Sequence, residues 1–166
     1  IGSLKWWAKS DNPKQYNKVV FNSVIKFIDI ALNSDGAHFD IAWVVHVYMK
    51  DRMVYDSKVK GWYFVNEMTN IWEFDKEGNK NSIILACDIC KVFMKRSLYY
   101  SEPCDDPIQK AINDEKAKKC YKIATQLKNA SFQDSIKKFL KSVCLRDDFF
   151  EKYLDKKTHL IAFNNK

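Results

Sequence analysis

Glycine is scarce in this sequence, with four residues at 2, 36, 61 and 78. Their spacing makes neither GxGxxG nor GxxxxGK[ST], which excludes a glycine loop cradling phosphate. Histidine is as sparse: His38, His46 and His159 have no carboxylate cluster repeating at ligand spacing, so they read as structural or surface side chains. Ser and Cys nucleophile signatures are missing too, and nothing supports catalysis within the segment. The apolar run Ile25 to Leu32 is broken by Lys26 and Asp29, short of the ~18 to 20 residues of a membrane span. The start, IGSLKWWAKSDNPK, has no signal-peptide pattern. A soluble, unexported protein without membrane contact is expected. The first residue is not Met and the last four are FNNK, so the chain reads as a segment of a longer polypeptide.

Five cysteines, Cys87, Cys90, Cys104, Cys120 and Cys144, form an odd set without the density of a secreted scaffold, and reduced thiols are expected. CDIC at Cys87 and Cys90 has metal-ligand spacing, and Cys104 and Cys120 would complete four thiolates. The surrounding IILACDICKVFM is a helical apolar face without a glycine knuckle, which favours core cysteines over zinc.

What the chain has in quantity is lysine and aromatic surface. Twenty-eight Lys and Arg against 21 Asp and Glu give +7, a balance suited to a polyanion or simply to a solvated surface. Apolar residues at 46% and aromatics at 14% are enough for a buried core.

The periodicity predicts a helix over 14–33, a second over 37–49, and strands at Met53 to Asp56, Trp62 to Val65 and Ile71 to Phe74. A helical face then runs through Ile83, Ile84, Cys87, Cys90, Met94 and Leu98. EPCDDP breaks the pattern. The next helix, 108–129, has Ile112, Ala117, Tyr121, Ile123, Ala124 and Leu127 as its apolar set. Ser131 and Asp134 resemble a capping pair for a helix through Val143; a short helix over 147–154 and a strand-like HLIAF follow. The expected fold is α+β and mainly helical, with helices around a small antiparallel β unit of winged-helix character. Residues 1–13 would be a preceding segment or linker, 14–100 the winged-helix-like part, 101–107 a loop and 108–166 a helical part.

The stretch Arg52 to Gly78 sets aromatic strands between basic links, the composition of a module that stacks bases and neutralises phosphate. Alternation instead buries Trp62, Phe64 and Trp72 or Phe74, leaving Lys58, Lys60 and Lys76 on the links as the candidates for DNA contact. Lys116, Lys119, Lys137 and Lys138 on the later helices are further candidates, either lining a channel or solvated. The second helix, the one a winged helix would place in a groove, is mostly apolar and is expected inside the fold.

Three stretches, SLKWWAKSDNPKQY at 3–16, AHFDIAWVVHVYMKDRMVYDSKVKGWYFVNEMTNIWEF at 37–74 and FFEKYLDKKTHLIAFNN at 149–165, carry a resemblance. They are similar to the region between primase and superfamily 3 helicase in primase-helicases of nucleocytoplasmic large DNA viruses, of poxvirus, asfarvirus and giant-virus type. The resemblance implies a non-catalytic domain that precedes an AAA+ helicase ATPase. It also implies support for DNA binding and homohexamer assembly, with single-stranded or forked DNA and the protein's own primase and helicase domains as partners. No cofactor is implied for this segment; ATP and magnesium would belong to the helicase. The setting implied is a viral replication factory in the host cytoplasm. A purely architectural collar or primase-docking module is the alternative. The family's usual Arg-Trp pair is replaced here by Asn70 and Ile71 ahead of Trp72, so that arginine's DNA contact has no counterpart.

Overall fold

A computed structural model describes the backbone of residues 13–154 and the side chains of 22–153. Trp6, Trp7, His159 and the HLIAF run lie outside the described residues.

Helix α1, Pro13–Asn33, ends where the Gly36 N–H reaches back to the Ala31 carbonyl at 2.8 Å. Gly36 has φ +81° there, the left-handed closure that glycine makes without a Cβ penalty. The next helix, α2, His38–Met49, sends Ile41, Ala42, Val44 and Val45 into the centre of the molecule. A single 3-10 turn, Lys50–Arg52, leads into strands β1, Met53–Asp56, β2, Gly61–Val65, and β3, Trp72–Asp75. They form an antiparallel sheet in the order β1-β2-β3, with Tyr55 opposite Trp62 and Trp62 opposite Asp75. The mainly helical α+β fold with a small antiparallel unit is therefore found as expected, and a winged-helix reading is compatible with it.

Side chains set the strand ends. Asn66 Oδ1 accepts from Met68 N at 2.9 Å and Thr69 N at 3.3 Å, tightening the β2–β3 link. Asp75 closes the unit: its two carboxylate oxygens accept from Gly78 N at 2.8 Å and Lys80 N at 2.9 Å, starting helix α3, Asn79–Ile83. Gly78 has φ +71°, and an added Cβ would lie 2.8 Å from the Trp62 indole. Gly78→Ala combines a left-handed penalty with this clash, so we expect a loss of about 2 kcal/mol in urea unfolding.

After α3 the helix continues through a π-helical turn, Ile84–Ile89, into α4, Cys90–Tyr100. That turn corrects the expected face. An i→i+5 turn carries an extra residue, so side chains beyond it rotate relative to an unbroken 3.6-residue period. Beyond the turn Cys90, Phe93 and Tyr100 are buried and Leu98 is exposed; within it Ile84, Leu85 and Ile89 are buried and Cys87 is exposed, as is Ile83 just before it. Helix α5, Pro107–Gln126, begins at an Asp106 cap and buries Ala117, Cys120, Ile123 and Ala124. Ile112 and Tyr121, placed inside by the sequence pattern, are exposed, and Cys120 takes an interior position instead.

Helix α6, Ala130–Val143, is capped by Asn129, whose Oδ1 accepts from Ser131 N at 3.0 Å. The expected Ser131–Asp134 pair is replaced: Asp134 faces Lys137 at 3.2 Å. Past α6 the chain runs along β1, where Tyr55 N donates to the Cys144 carbonyl at 3.0 Å and Arg146 N to the Tyr55 carbonyl at 2.9 Å. It closes on a π turn, Phe150–Leu154, shorter than the helix expected over 147–154. The main core joins α1, α2, α4, α5 and α6 to Trp62 and Phe64 of the sheet, drawing on residues from both sides of the 101–106 loop.

Candidate nucleic-acid interface

The β1–β2 turn is built on one carboxylate. Asp56 is 0% exposed, yet it accepts from Lys58 N at 2.9 Å, Val59 N at 3.4 Å and, through its second oxygen, Phe150 N at 2.9 Å. A buried carboxylate is tolerated here because backbone donors replace its water. One side chain thus shapes the hairpin and ties it to a segment 94 residues away. Beside it, Ser57 donates to Asp147, and the Lys58 ammonium pairs with Asp148 at 2.5 Å and Glu151 at 2.9 Å. These partners push the Lys58 pKa above its ordinary value, and Lys58 in turn holds Asp148 below the usual carboxylate range.

The same segment covers the second face of the sheet. Phe149 is buried against Val54, Tyr63 and Trp72, with its ring 4.9 Å from Trp72 and 5.5 Å from Tyr63. Trp62, Tyr63 and Phe64 are consequently all buried, where alternation placed only one face inside. Trp72 is half-buried, while Phe74 remains 50% exposed over the Gly61 backbone.

The candidate lysines divide by what they touch. Lys119 pairs with Asp35 at 2.8 Å and Glu115 at 3.1 Å, and Lys137 with Asp134. The Lys116 ammonium sits 5.3 Å from the Tyr100 ring centre. Lys60, Lys76 and Lys138 are exposed and make no ion pair among the described residues. Lys60, in the left-handed region at φ +52°, closes the hairpin turn. Because Trp62 pairs with Asp75, Lys60 and Lys76 flank the same end of the β2–β3 ladder. Lys116 and Lys119 stand on α5, Lys137 and Lys138 on α6.

Of the CDIC pair, Cys90 is buried, as its apolar context suggested, and Cys87 is exposed; Cys120 and Cys144 are buried as well. Burial pushes the Cys120 and Cys144 thiols up to about 12, which keeps them protonated and poor metal ligands at neutral pH. His38 packs its ring against Phe132 at 4.7 Å. His46 is half-buried between Trp43 and the Cys144 sulfur, 3.5 Å from its Nδ1.

Burial lowers the His46 pKa, Asp51 opposes that shift and Arg146 adds to it. Between this lowered value and the ordinary one near 6.5, the unfolded chain binds more protons than the folded one. His46's contribution is therefore fully present above pH about 6.5 and is lost as pH falls through the folded pKa. We expect the melting temperature to drop between pH about 7.5 and about 5.5, and His46→Gln to flatten that drop.

Sequence reasoning missed Asp56 and a cluster at the end of α4. There Arg96 Nη2 donates to the Tyr100 hydroxyl at 2.9 Å, and that hydroxyl donates to Asp29 Oδ1 at 2.5 Å. Burial, with Asp29, raises Tyr100 to about 12, so the hydroxyl keeps its proton. RSLYY did carry a signal, since Arg96 stands three and four residues before Tyr99 and Tyr100 on one helix face.

A family model described as D5 N terminal like matches residues 42–166, about three quarters of the chain. The chain belongs to the D5 N-terminal-like family. This is the domain found in poxvirus D5 primase-helicase proteins, and it bears out the resemblance drawn from the sequence. The D5 N-terminal-like match takes in α2 from Ala42, the whole sheet and the segment that covers it. No curated protein matches the chain significantly. Among the described residues, no helix is long and apolar enough to cross a membrane.

Proposed function

We propose that this D5 N-terminal-like domain is a non-catalytic part of a viral replicative primase-helicase that engages single-stranded or forked DNA next to the helicase ATPase and supports hexamer assembly. The observation that carries the reading is the pair of exposed lysines, Lys60 and Lys76, without an ion pair among the described residues, at one end of the sheet in a chain of net charge +7. Phosphate contacts need such cations, because a lysine already neutralised within the fold gains less from a phosphate. Lys138 is the matching cation on α6. Lys58, Lys119 and Lys137 would contribute only by exchanging an ion-pair partner they already have, whereas Lys116 has only the Tyr100 ring beside it. ATP and magnesium belong in this reading to the ATPase, and the setting is a cytoplasmic replication factory. Titrating a labelled fork with the chain at low salt tests it: binding with an intact melting transition is expected, and its absence removes the DNA role.

One feature favours a purely architectural collar or primase-docking module as the second reading. Lys58, Lys119 and Lys137 each face a carboxylate of the fold, as solubilising or structural lysines do. Under that reading, charge reversal at Lys60 and Lys76 leaves assembly with the primase and helicase domains unchanged, and the chain shows no DNA binding to lose.

A further inference from the structure

Between the end of α4 and the first half of α5 lies an open cavity of about 460 Å³, within the ~300–1,000 Å³ range of small-ligand sites. The Arg96 guanidinium lies over two aromatic rings there, 4.5 Å from the Tyr99 centre and 4.4 Å from that of Tyr100. Its Nη2 faces Asp29, 3.4 Å from each carboxylate oxygen, and Tyr100. Nη1 makes no hydrogen bond among the described residues. Lys116, also in the wall, makes no ion pair among them. Arg96 covers one side of Tyr99, which stays 56% exposed. Gln109 and Asn113, joined to each other at 2.9 Å, add amide donors and acceptors to the lining.

We propose that this cavity takes one nucleotide of a single DNA strand, with the base against Tyr99 and its phosphate between Arg96 and Lys116. Two features point to a nucleotide rather than to a simple anion. The cations come with an exposed aromatic surface, on which any base can stack whatever its identity. The two amides supply hydrogen-bonding groups suited to a base edge. Asp29 is already satisfied by Arg96 and Tyr100, so it offers a phosphate less repulsion than a free carboxylate would. Glu102 at the rim does oppose a phosphate, and Glu102→Gln should tighten binding. The pocket deepens the DNA reading and rests on it for the strand as the source of the nucleotide. A free nucleotide shares the same chemistry.

The test is anisotropy with the whole 166-residue chain on labelled oligo(dT), on an abasic oligomer of equal length and on mant-dATP. Tyr99→Ala should weaken oligo(dT) binding about tenfold, with Tyr99→Phe restoring it, and leave the abasic oligomer unaffected. Tyr99→Phe keeps the ring and should leave the melting transition unchanged, whereas Tyr99→Ala gives up the contact with Arg96 and should lower it only slightly, because the site is exposed. Lys116→Gln should weaken the oligo(dT) and abasic ligands together. A Tyr99 effect confined to mant-dATP would support the nucleotide pocket and overturn the strand as its source. Oligo(dT) binding that is strong and indifferent to Tyr99→Ala overturns the pocket while the lysine-based DNA role stands. Failure of wild type to bind any of the three ligands overturns both.

Discussion

Replacing Asp56 with alanine should destabilise the domain by about 3 kcal/mol or more, because hydrogen bonds to a charged acceptor each contribute roughly 1.5–3 kcal/mol. Three backbone N–H groups lose that acceptor at once: Lys58 and Val59 in the hairpin and Phe150 in the covering segment. Water cannot readily replace it, since the side chain is 0% exposed. Asp56→Asn retains one carbonyl oxygen, loses the charge and should cost about half as much. Urea unfolding monitored by tryptophan fluorescence reads both, through Trp62 and Trp72 on the sheet. An Asp56→Ala loss within about 0.5 kcal/mol, the range of an ordinary surface change, would refute the role of Asp56 in tying the hairpin to the covering segment.

The second large effect concerns charge. Lys60→Glu with Lys76→Glu should weaken binding to forked DNA roughly a hundredfold at low salt, since each reversal removes a phosphate contact and adds a repulsion. The same reversal at Lys119 and Lys137 should cost about tenfold less, because those ammonium groups already face Asp35, Glu115 and Asp134. Equal losses from the two pairs would mean that only net charge matters and that the sheet end has no special part.

Much of this fold is written locally. Met53 to Asp56 was readable as a strand from its β-type run, and the apolar steps of α1 and α2 from their three- and four-residue spacing. The sheet's second face was not readable. Alternation assumes that one face meets water, but Phe149 arrives from far along the chain to cover Tyr63. The π turn at Ile84–Ile89 defeated the helical period in a similar way, by changing the residues per turn where composition alone gave no sign.

The cap of α6 differs from the expected pair for a chemical reason. Ser131 and Asp134 have capping spacing, yet Asn129 stands two residues ahead of Ser131 and its amide oxygen takes the Ser131 N–H. At the candidate interface, lysine positions were plain from the sequence, but their freedom was not. Lys58 meets Asp148 and Glu151 only because the covering segment folds back beside the hairpin. Lys60 and Lys76 are distinguished by the sheet register, which sequence spacing had left open.

The domain's DNA role is tested most directly by fork-binding affinity measured across a salt series with the melting transition followed in parallel. With Lys60 and Lys76 each neutralising a phosphate, log affinity should fall against log salt with a slope of about −1.5 or steeper, and the double reversal should remove most of that slope. A folded domain that fails to bind the fork at the lowest salt, or binds it with no salt dependence, would contradict the account.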